Sequence, residues 1–151
     1  TALLFCTIQD AASYVGVTAS TLRYYDKEGL LPFVARSGGG IRMFTESDLD
    51  WLRLIGCLKA TGMPIKEIKR FIDLYAEGDA TLEPRRDMFY QRKQAVEEQM
   101  AALQKTLEFI SDKCWFYDTA VAAGSSDAPH NLKPEDIPVE VQKMKQSAGV
   151  K

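Results

Sequence analysis

Disulfide frameworks, metal clusters and membrane spans all lack support in this sequence. Its 151 residues contain only three cysteines, Cys6, Cys57 and Cys114, and one histidine, His130. The cysteines are odd in number, lie far apart and never show C-x-x-C spacing, so they predict neither disulfides nor a metal site. No apolar run approaches the length of a membrane span. Because unpaired cysteines are typical of a reducing compartment, we expect a cytoplasmic protein without membrane association.

Signatures of catalysis and of secretion are also missing. The sequence offers no nucleophile–base arrangement, no phosphate-binding loop and no metal-ligand set, so we expect neither an enzyme nor a cofactor. The opening TALLFC lacks a basic region ahead of an apolar stretch, and no signal peptide is expected. Residues 1–70 hold 9 Lys/Arg against 7 Asp/Glu, whereas residues 71–151 hold 10 against 14. This split mildly favours a nucleic-acid partner for the first half.

Two short helices joined by a tight turn are predicted near the N-terminus. The first begins at Thr7, with Asp10 in its first turn, and ends at Gly16. The second begins at Thr18 and ends before Pro32. Two short helices around a glycine-containing turn are typical of the helix-turn-helix motif.

The second helix carries a cation beside two phenols, Arg23, Tyr24 and Tyr25. These side chains suit contacts with a DNA backbone better than they suit a hydrophobic core. Because neighbouring residues on a helix point in different directions, Tyr24 and Tyr25 cannot both face outward. One of the two is therefore expected in the core.

A small β-hairpin is predicted directly after these helices. Two β-capable runs, Phe33–Arg36 and Ile41–Phe44, flank Ser-Gly-Gly-Gly, and glycines supply the positive φ angles of hairpin turns. Arg36 and Arg42 stand on either side of the tip, so the hairpin resembles a DNA-binding wing. A plain surface loop with solvated arginines is the alternative.

The third and fourth helices form a pair over residues 45–80. The third begins at the cap Thr45 and ends at Gly62. The fourth begins at Pro64, a residue suited to the first helical position, and ends at Gly78. We expect this pair to link the DNA-binding unit, residues 6–44, to a dimerisation helix further along the chain.

One long helix is predicted over residues 83–118. Arg85–Tyr117 contains neither glycine nor proline, and apolar residues recur with a heptad repeat that needs a partner helix. Lys93 is the one discordant residue at these positions. Because nothing else in the chain is long enough to pair with it, we expect a homodimer. Residues 119–151 are rich in small residues and proline, which favours a mostly flexible tail, with a short docked piece around Ile137–Met144 as the alternative. The predicted dimerisation residues are Phe89, Val96, Met100, Leu103, Leu107, Ile110, Cys114 and Tyr117.

This order of elements resembles the MerR family of bacterial transcription regulators. The resemblance covers residues 6 to about 117 and rests on short motifs. They are Tyr14–Thr18, Thr21–Asp26, Gly29–Pro32, Gly40–Phe44, Asp48 with Leu49, and Cys57–Gly62.

The resemblance implies a mainly α fold, with a winged helix-turn-helix, a helical pair and a long antiparallel coiled-coil helix. It implies a homodimer that binds a palindromic promoter in double-stranded DNA and distorts it so that RNA polymerase engages. Such distortion is indirect readout of the DNA. Carried over by position, and with Arg36 added from the wing, the DNA contacts are Thr18, Arg23, Tyr24, Tyr25, Arg36, Arg42, and Lys59 or Lys66.

Three effectors are open for such a regulator. Resemblance to the thiol-based aldehyde and electrophile sensors of the family implies that Cys57 reacts, and Arg53, four residues earlier, would favour its thiolate. Packing is the alternative for Cys57, and it is favoured over chemistry for Cys114. An apolar ligand near Trp115–Tyr117 is a second possibility. Metal sensing is disfavoured because the sequence lacks the required thiolates.

Overall fold

The chain is mainly α-helical, and a computed structural model describes residues 5–147 of it. The long helix α5 contains the boundary, between Ala95 and Val96, of two compact units. The winged helix-turn-helix, the helical pair and the long helix expected from the sequence are confirmed. The helices are α1 (Ile8–Val15), α2 (Ala19–Lys27), α3 (Glu46–Ala60), α4 (Ile65–Ala76), α5 (Leu82–Ala123) and α6 (Val139–Ser147); the strands are β1 (Ala35–Arg36) and β2 (Arg42–Met43).

The starts of α1 and α3, both predicted from the sequence, are formed by reciprocal caps. The Thr7 hydroxyl accepts from the backbone N–H of Asp10, whose carboxylate accepts from the backbone N–H of Thr7. Thr45 and Asp48 repeat this arrangement at α3. Gly16 follows α1 with φ of 76°, a left-handed conformation that favours glycine. These local signals place α1 and α3 where the sequence puts them.

The first unit has one hydrophobic core, to which each of the helices α1 to α4 contributes together with residues of the connecting segments. Phe44 is fully buried at the base of the wing, and its backbone pairs with that of Cys6 in an antiparallel bridge. The wing is therefore attached to the core at its base, next to α1. The other fully buried large side chains are Leu22, Leu30, Ile55 and Ile68.

The turn between α4 and α5 is fixed by polar contacts rather than by apolar packing alone. The buried Thr81 hydroxyl donates to the carbonyl oxygens of Leu74 and Gly78. Arg85 donates to the Gly78 carbonyl at 3.0 Å, and its guanidinium lies 5.3 Å from the ring centroid of Tyr75. These bonds fix the first turn of α5 against the end of α4.

Two residues early in α5 pack against the first unit. The ring of Phe89, expected in the dimer seam, stands edge-on to the Phe71 ring of α4 at 5.1 Å and remains partly exposed. Arg92 donates to the Thr61 carbonyl at 3.4 Å and to the Glu67 carboxylate at 3.3 Å. Phe89 therefore packs against α4 of its own chain, in addition to the dimer contact predicted from the sequence.

Up to residue 147, the segment after α5 has more secondary structure than the mostly flexible tail expected for residues 119–151; residues 148–151 lie outside the described residues. Helix α5 extends to Ala123, and two short 3-10 turns lead to α6. Within the second unit, Ala120, Pro129 and Val141 are buried. These apolar residues are too sparse to give a periodic signal in the sequence, yet together they fold residues 124–147.

Candidate nucleic-acid interface

Two of the three DNA contacts predicted within α2 lie on its exposed face, and the third is buried. Arg23 and Tyr24 are exposed, and Arg23 forms no ion pair among residues 5–147. Tyr25, also predicted to contact DNA, is buried in the core beside Leu22. Burial, with a smaller contribution from Tyr24, raises the pKa of the Tyr25 hydroxyl, so this side chain stays neutral. Tyr25 is thus the core tyrosine of the pair, which corrects its assignment as a DNA contact.

Thr18 combines a structural role with an exposed position. Its hydroxyl accepts from the backbone N–H of Thr21 at 3.1 Å and bonds to the Thr21 hydroxyl at 2.9 Å. This cap fixes the start of α2. The N-terminus of a helix carries partial positive charge and free N–H groups, which suit a phosphate.

Both wing arginines bind the same carboxylate. Arg36 pairs with Arg42 across the hairpin register. Both donate to Oδ2 of Asp26 on α2, Arg36 at 2.7 Å and Arg42 at 2.8 Å. Arg36 also donates to the Gly40 carbonyl at 3.0 Å, which braces the hairpin tip. The sequence placed these arginines at DNA but offered no reason to single out Asp26.

Lys59 and Lys66 are exposed on either side of the turn between α3 and α4. Lys59 lies in the last turn of α3, where a cation complements the helix dipole, and Lys66 lies in the first turn of α4. Neither forms an ion pair within the described part of the chain. Both ammonium groups are therefore available to a phosphate backbone.

Cys57 and Arg53 line one cavity. This cavity has a volume of about 320 Å³ and separates part of α3 from the first two helices. Arg53 binds the Asp50 carboxylate at 2.7 Å and the Tyr14 hydroxyl, so its guanidinium is engaged by groups other than Cys57. The thiol of Cys57 is exposed instead of being enclosed by the helical pair. The lining residues are Val15, Val17, Leu22, Tyr25, Leu52, Arg53, Gly56 and Cys57.

The other two cysteines have different surroundings. Burial and the carboxylates of Asp10 and Asp48 raise the pKa of the Cys6 thiol, which disfavours the nucleophilic thiolate. Cys114 is exposed on α5 in the single chain. Cys57 is therefore the one thiol that combines exposure with a neighbouring cavity in the first unit.

The aromatic end of α5 is contacted by the chain's own C-terminal segment. The Lys145 ammonium lies 5.1 Å from the ring centroid of Trp115, and the His130 ring stands edge-on to Phe116 at 5.2 Å. Tyr117 remains exposed. Residues of α6 and of the preceding turns thus contact rings where an apolar ligand was suggested.

Neither a metal site nor a membrane helix is found in the described residues. Over residues 5–147, no group of three or more His, Cys, Asp or Glu side chains is arranged to hold a metal ion. No helix in that range is both long and apolar enough to cross a bilayer.

A winged helix-turn-helix with an exposed, cationic second helix defines a class of DNA-binding transcription regulators. Two family descriptions match the chain: MerR HTH family regulatory protein over residues 6–74, and MerR, DNA binding over residues 49–112. An uncharacterized HTH-type transcriptional regulator of Haemophilus influenzae is 47% identical over 122 residues, covering 81% of this chain and 90% of the relative. The protein belongs to the MerR family of transcription regulators.

Two further relatives agree with this assignment. One is HiNmlR, a MerR family regulator lacking the sensor domain, whose crystal structure shows it bound to promoter DNA. Its sequence is 46% identical to this chain, and the two structures superpose with a TM-score of 0.76. The matched region covers 83% of this chain and 99% of HiNmlR. The transcriptional regulator AdhR of Bacillus subtilis is 38% identical over 87 residues, covering 58% of this chain and 62% of the relative. The protein is thus a DNA-binding regulator of the MerR type.

Proposed function

We propose that the protein binds a palindromic promoter as a homodimer and distorts the DNA to control transcription by RNA polymerase. The observation that carries this proposal is an apolar row on the second-unit part of α5. Met100, Leu103, Leu107 and Ile110 are each more than half exposed in the single chain. Burial of apolar surface gains about 25 cal/mol per Å², and the same row of a second copy covers it.

The DNA-facing side of the first unit complements this dimer. Exposed groups for contacts with the DNA backbone come from Arg23 and Tyr24 on α2. Lys59 and Lys66 add two more from α3 and α4. A symmetric dimer doubles these contacts and places them on two half-sites. Many backbone contacts supply the free energy that bending or untwisting the DNA costs.

Selection of duplexes from a pool of randomised sequence tests the proposal. The bound fraction is sequenced, and bending of the enriched duplex is measured by energy transfer between its ends. Dyad-symmetric sequences and a shortened end-to-end distance are expected. Enrichment of a single asymmetric half-site, or no enrichment over random DNA, would refute the homodimeric promoter-binding function.

Replacing Arg23 by glutamine should weaken binding to the selected duplex and make it less dependent on salt. Each dimer loses two phosphate contacts, so the slope of log K against log salt should fall in magnitude by about 2. Lys105→Gln makes the same charge change on α5, outside the first unit, and should leave the slope unchanged. Fluorescence anisotropy across a salt series measures both slopes, and equal slopes for Arg23→Gln and the wild type contradict the assignment.

We further propose that Cys57 is the effector site and reacts with small aldehydes or related electrophiles. With an α,β-unsaturated aldehyde, an Sγ–C bond forms at the β-carbon while the carbon–carbon π bond breaks. The α-carbon takes the proton that the thiol loses. The cavity beside Cys57 holds about ten times the volume of one liquid water molecule, enough for a small adduct.

The cavity connects this reaction to the DNA-binding helix. Leu22 and Tyr25, which anchor α2 in the core, line the same cavity as Cys57. An adduct in this cavity lies against these two side chains, and because they are packed in the core, its bulk acts on α2. The expected consequence is a displaced α2 and altered distortion of the promoter.

Replacing Cys57 by serine should abolish the response to an unsaturated aldehyde while leaving duplex affinity within about twofold of the wild type. Cys114→Ser, an exposed cysteine of the second unit, is the matched control and should keep the response. In vitro transcription gives the response, and intact-protein mass spectrometry gives the adduct count. Unchanged aldehyde-dependent transcription from the Cys57→Ser protein would refute the thiol mechanism.

A further inference from the structure

Asp26 occupies a position that its own helix disfavours. It lies in the last turn of α2, which ends at Lys27, and the C-terminal end of a helix carries partial negative charge. A carboxylate there, on the element that faces DNA phosphates, is unfavourable for both reasons. Some other contact must stabilise this side chain.

The wing supplies that contact. Arg36 and Arg42 face each other across the hairpin, and like charges directly opposite on paired strands are destabilising. Asp26 lies between them as a shared counter-ion. Its Oδ2 accepts from Nη2 of Arg36 at 2.7 Å and from Nε of Arg42 at 2.8 Å, and it lies 2.7 Å from Nη2 of Arg42.

The partial burial of Asp26 and Arg42 strengthens this contact. The side chains of Asp26 and Arg42 are 23% and 22% exposed, so water competes weakly for their bonds. Charge-assisted bonds in such a partly buried site are stronger than exposed ion pairs. Arg36 is more exposed, at 49%, and its second nitrogen holds the hairpin tip through the Gly40 carbonyl.

From this geometry we infer that Asp26 is a positioning residue for DNA recognition: it fixes the wing relative to α2 through Arg36 and Arg42. The inference rests on the DNA-binding function and adds a residue that acts on DNA through others. Binding two elements to one duplex costs less when their separation is set in advance. Asp26 sets it for α2 and the wing.

A simple electrostatic role for Asp26 makes the opposite prediction. If this carboxylate were only a negative charge near DNA, its removal would raise the affinity for every duplex. If it positions the wing, removal lowers the affinity for the selected duplex more than for random DNA. The sign of the change therefore separates the two roles.

Asp26→Asn should bind the selected duplex about tenfold more weakly than the wild type, the effect expected for losing a charge-assisted network. Its preference over random DNA should fall in the same proportion. Glu28→Gln is the matched control. It removes the same charge two residues later, from a side chain with no polar contact among residues 5–147, and should bind as tightly as the wild type or more tightly. Asp26→Glu, which keeps the charge, should recover most of the loss.

Further variants and controls keep this test decisive. Thermal unfolding of each variant excludes loss of the fold. If Asp26→Asn proves unstable, Arg42→Lys keeps the charge but loses the Nε bond to Oδ2, and it should weaken selected-duplex binding in the same direction. Tighter or unchanged binding by a folded Asp26→Asn or Arg42→Lys protein overturns the inference. Failure of the wild type to select any duplex would instead refute the proposed function.

Discussion

Replacing both Leu103 and Leu107 by glutamate should leave the protein monomeric and weaken its binding to the selected duplex by roughly 10²-fold or more. Both leucines lie on the exposed apolar row of α5. In a dimer the new carboxylates would be buried against apolar neighbours and against each other, which is strongly unfavourable. A monomer then binds half-sites separately and loses the gain that linkage of two sites provides.

The matched control for this variant is Lys105→Glu. Lys105 is exposed on α5 between the two leucines, at the outermost heptad position. It should remain dimeric and keep most of its affinity. Sedimentation velocity at micromolar concentration reports the oligomeric state, and anisotropy reports the affinity. A Leu103→Glu, Leu107→Glu protein that sediments as a dimer would show that α5 does not form the interface.

Short-range signals made much of this fold predictable from sequence. The capping pairs Thr7 with Asp10 and Thr45 with Asp48 lie three residues apart, and both are present as hydrogen bonds. Gly16 marked a turn because few other residues adopt its backbone conformation. These signals need no tertiary information, since each is complete within one helical turn.

The parts that sequence reasoning missed depend on residues far apart in the chain. The sequence could not tell which of Tyr24 and Tyr25 faces the core, because that depends on how α2 packs against the rest of the first unit. Asp26 is 16 residues from Arg42, so neither α2 nor the wing alone indicates their bond. An acid in the last turn of a helix was the one local sign that Asp26 needed an outside partner.

The cavity beside Cys57 shows the same limit at the proposed effector site. The sequence singled out Cys57 and Arg53 from their spacing on one helix. It could not indicate that Leu22 and Tyr25 of α2 line the same cavity, because the lining residues come from three separate helices, α1, α2 and α3, and from the turn between the first two. This geometry gives the proposed mechanism its route, in which an adduct on Cys57 acts on α2 through Leu22 and Tyr25.

Phe44→Ala should destabilise the first unit by about 3–5 kcal/mol, the usual cost of deleting a fully buried phenylalanine. The ring fills the core at the base of the wing, and the adjoining backbone holds the bridge to Cys6. A cavity there would also loosen the wing, so duplex affinity should fall together with stability. Urea unfolding followed by Trp51 fluorescence, in a Trp115→Phe background, measures the first unit.

Ile41→Ala is the control from the same hairpin. The Ile41 side chain is 67% exposed, so its truncation should change the free energy of unfolding by no more than about 0.5 kcal/mol. The comparison isolates burial, because both substitutions shorten an apolar side chain of one wing segment. If the two variants unfolded at the same urea concentration, the wing would not be anchored through Phe44, and the mechanism that couples wing position to the core would fail.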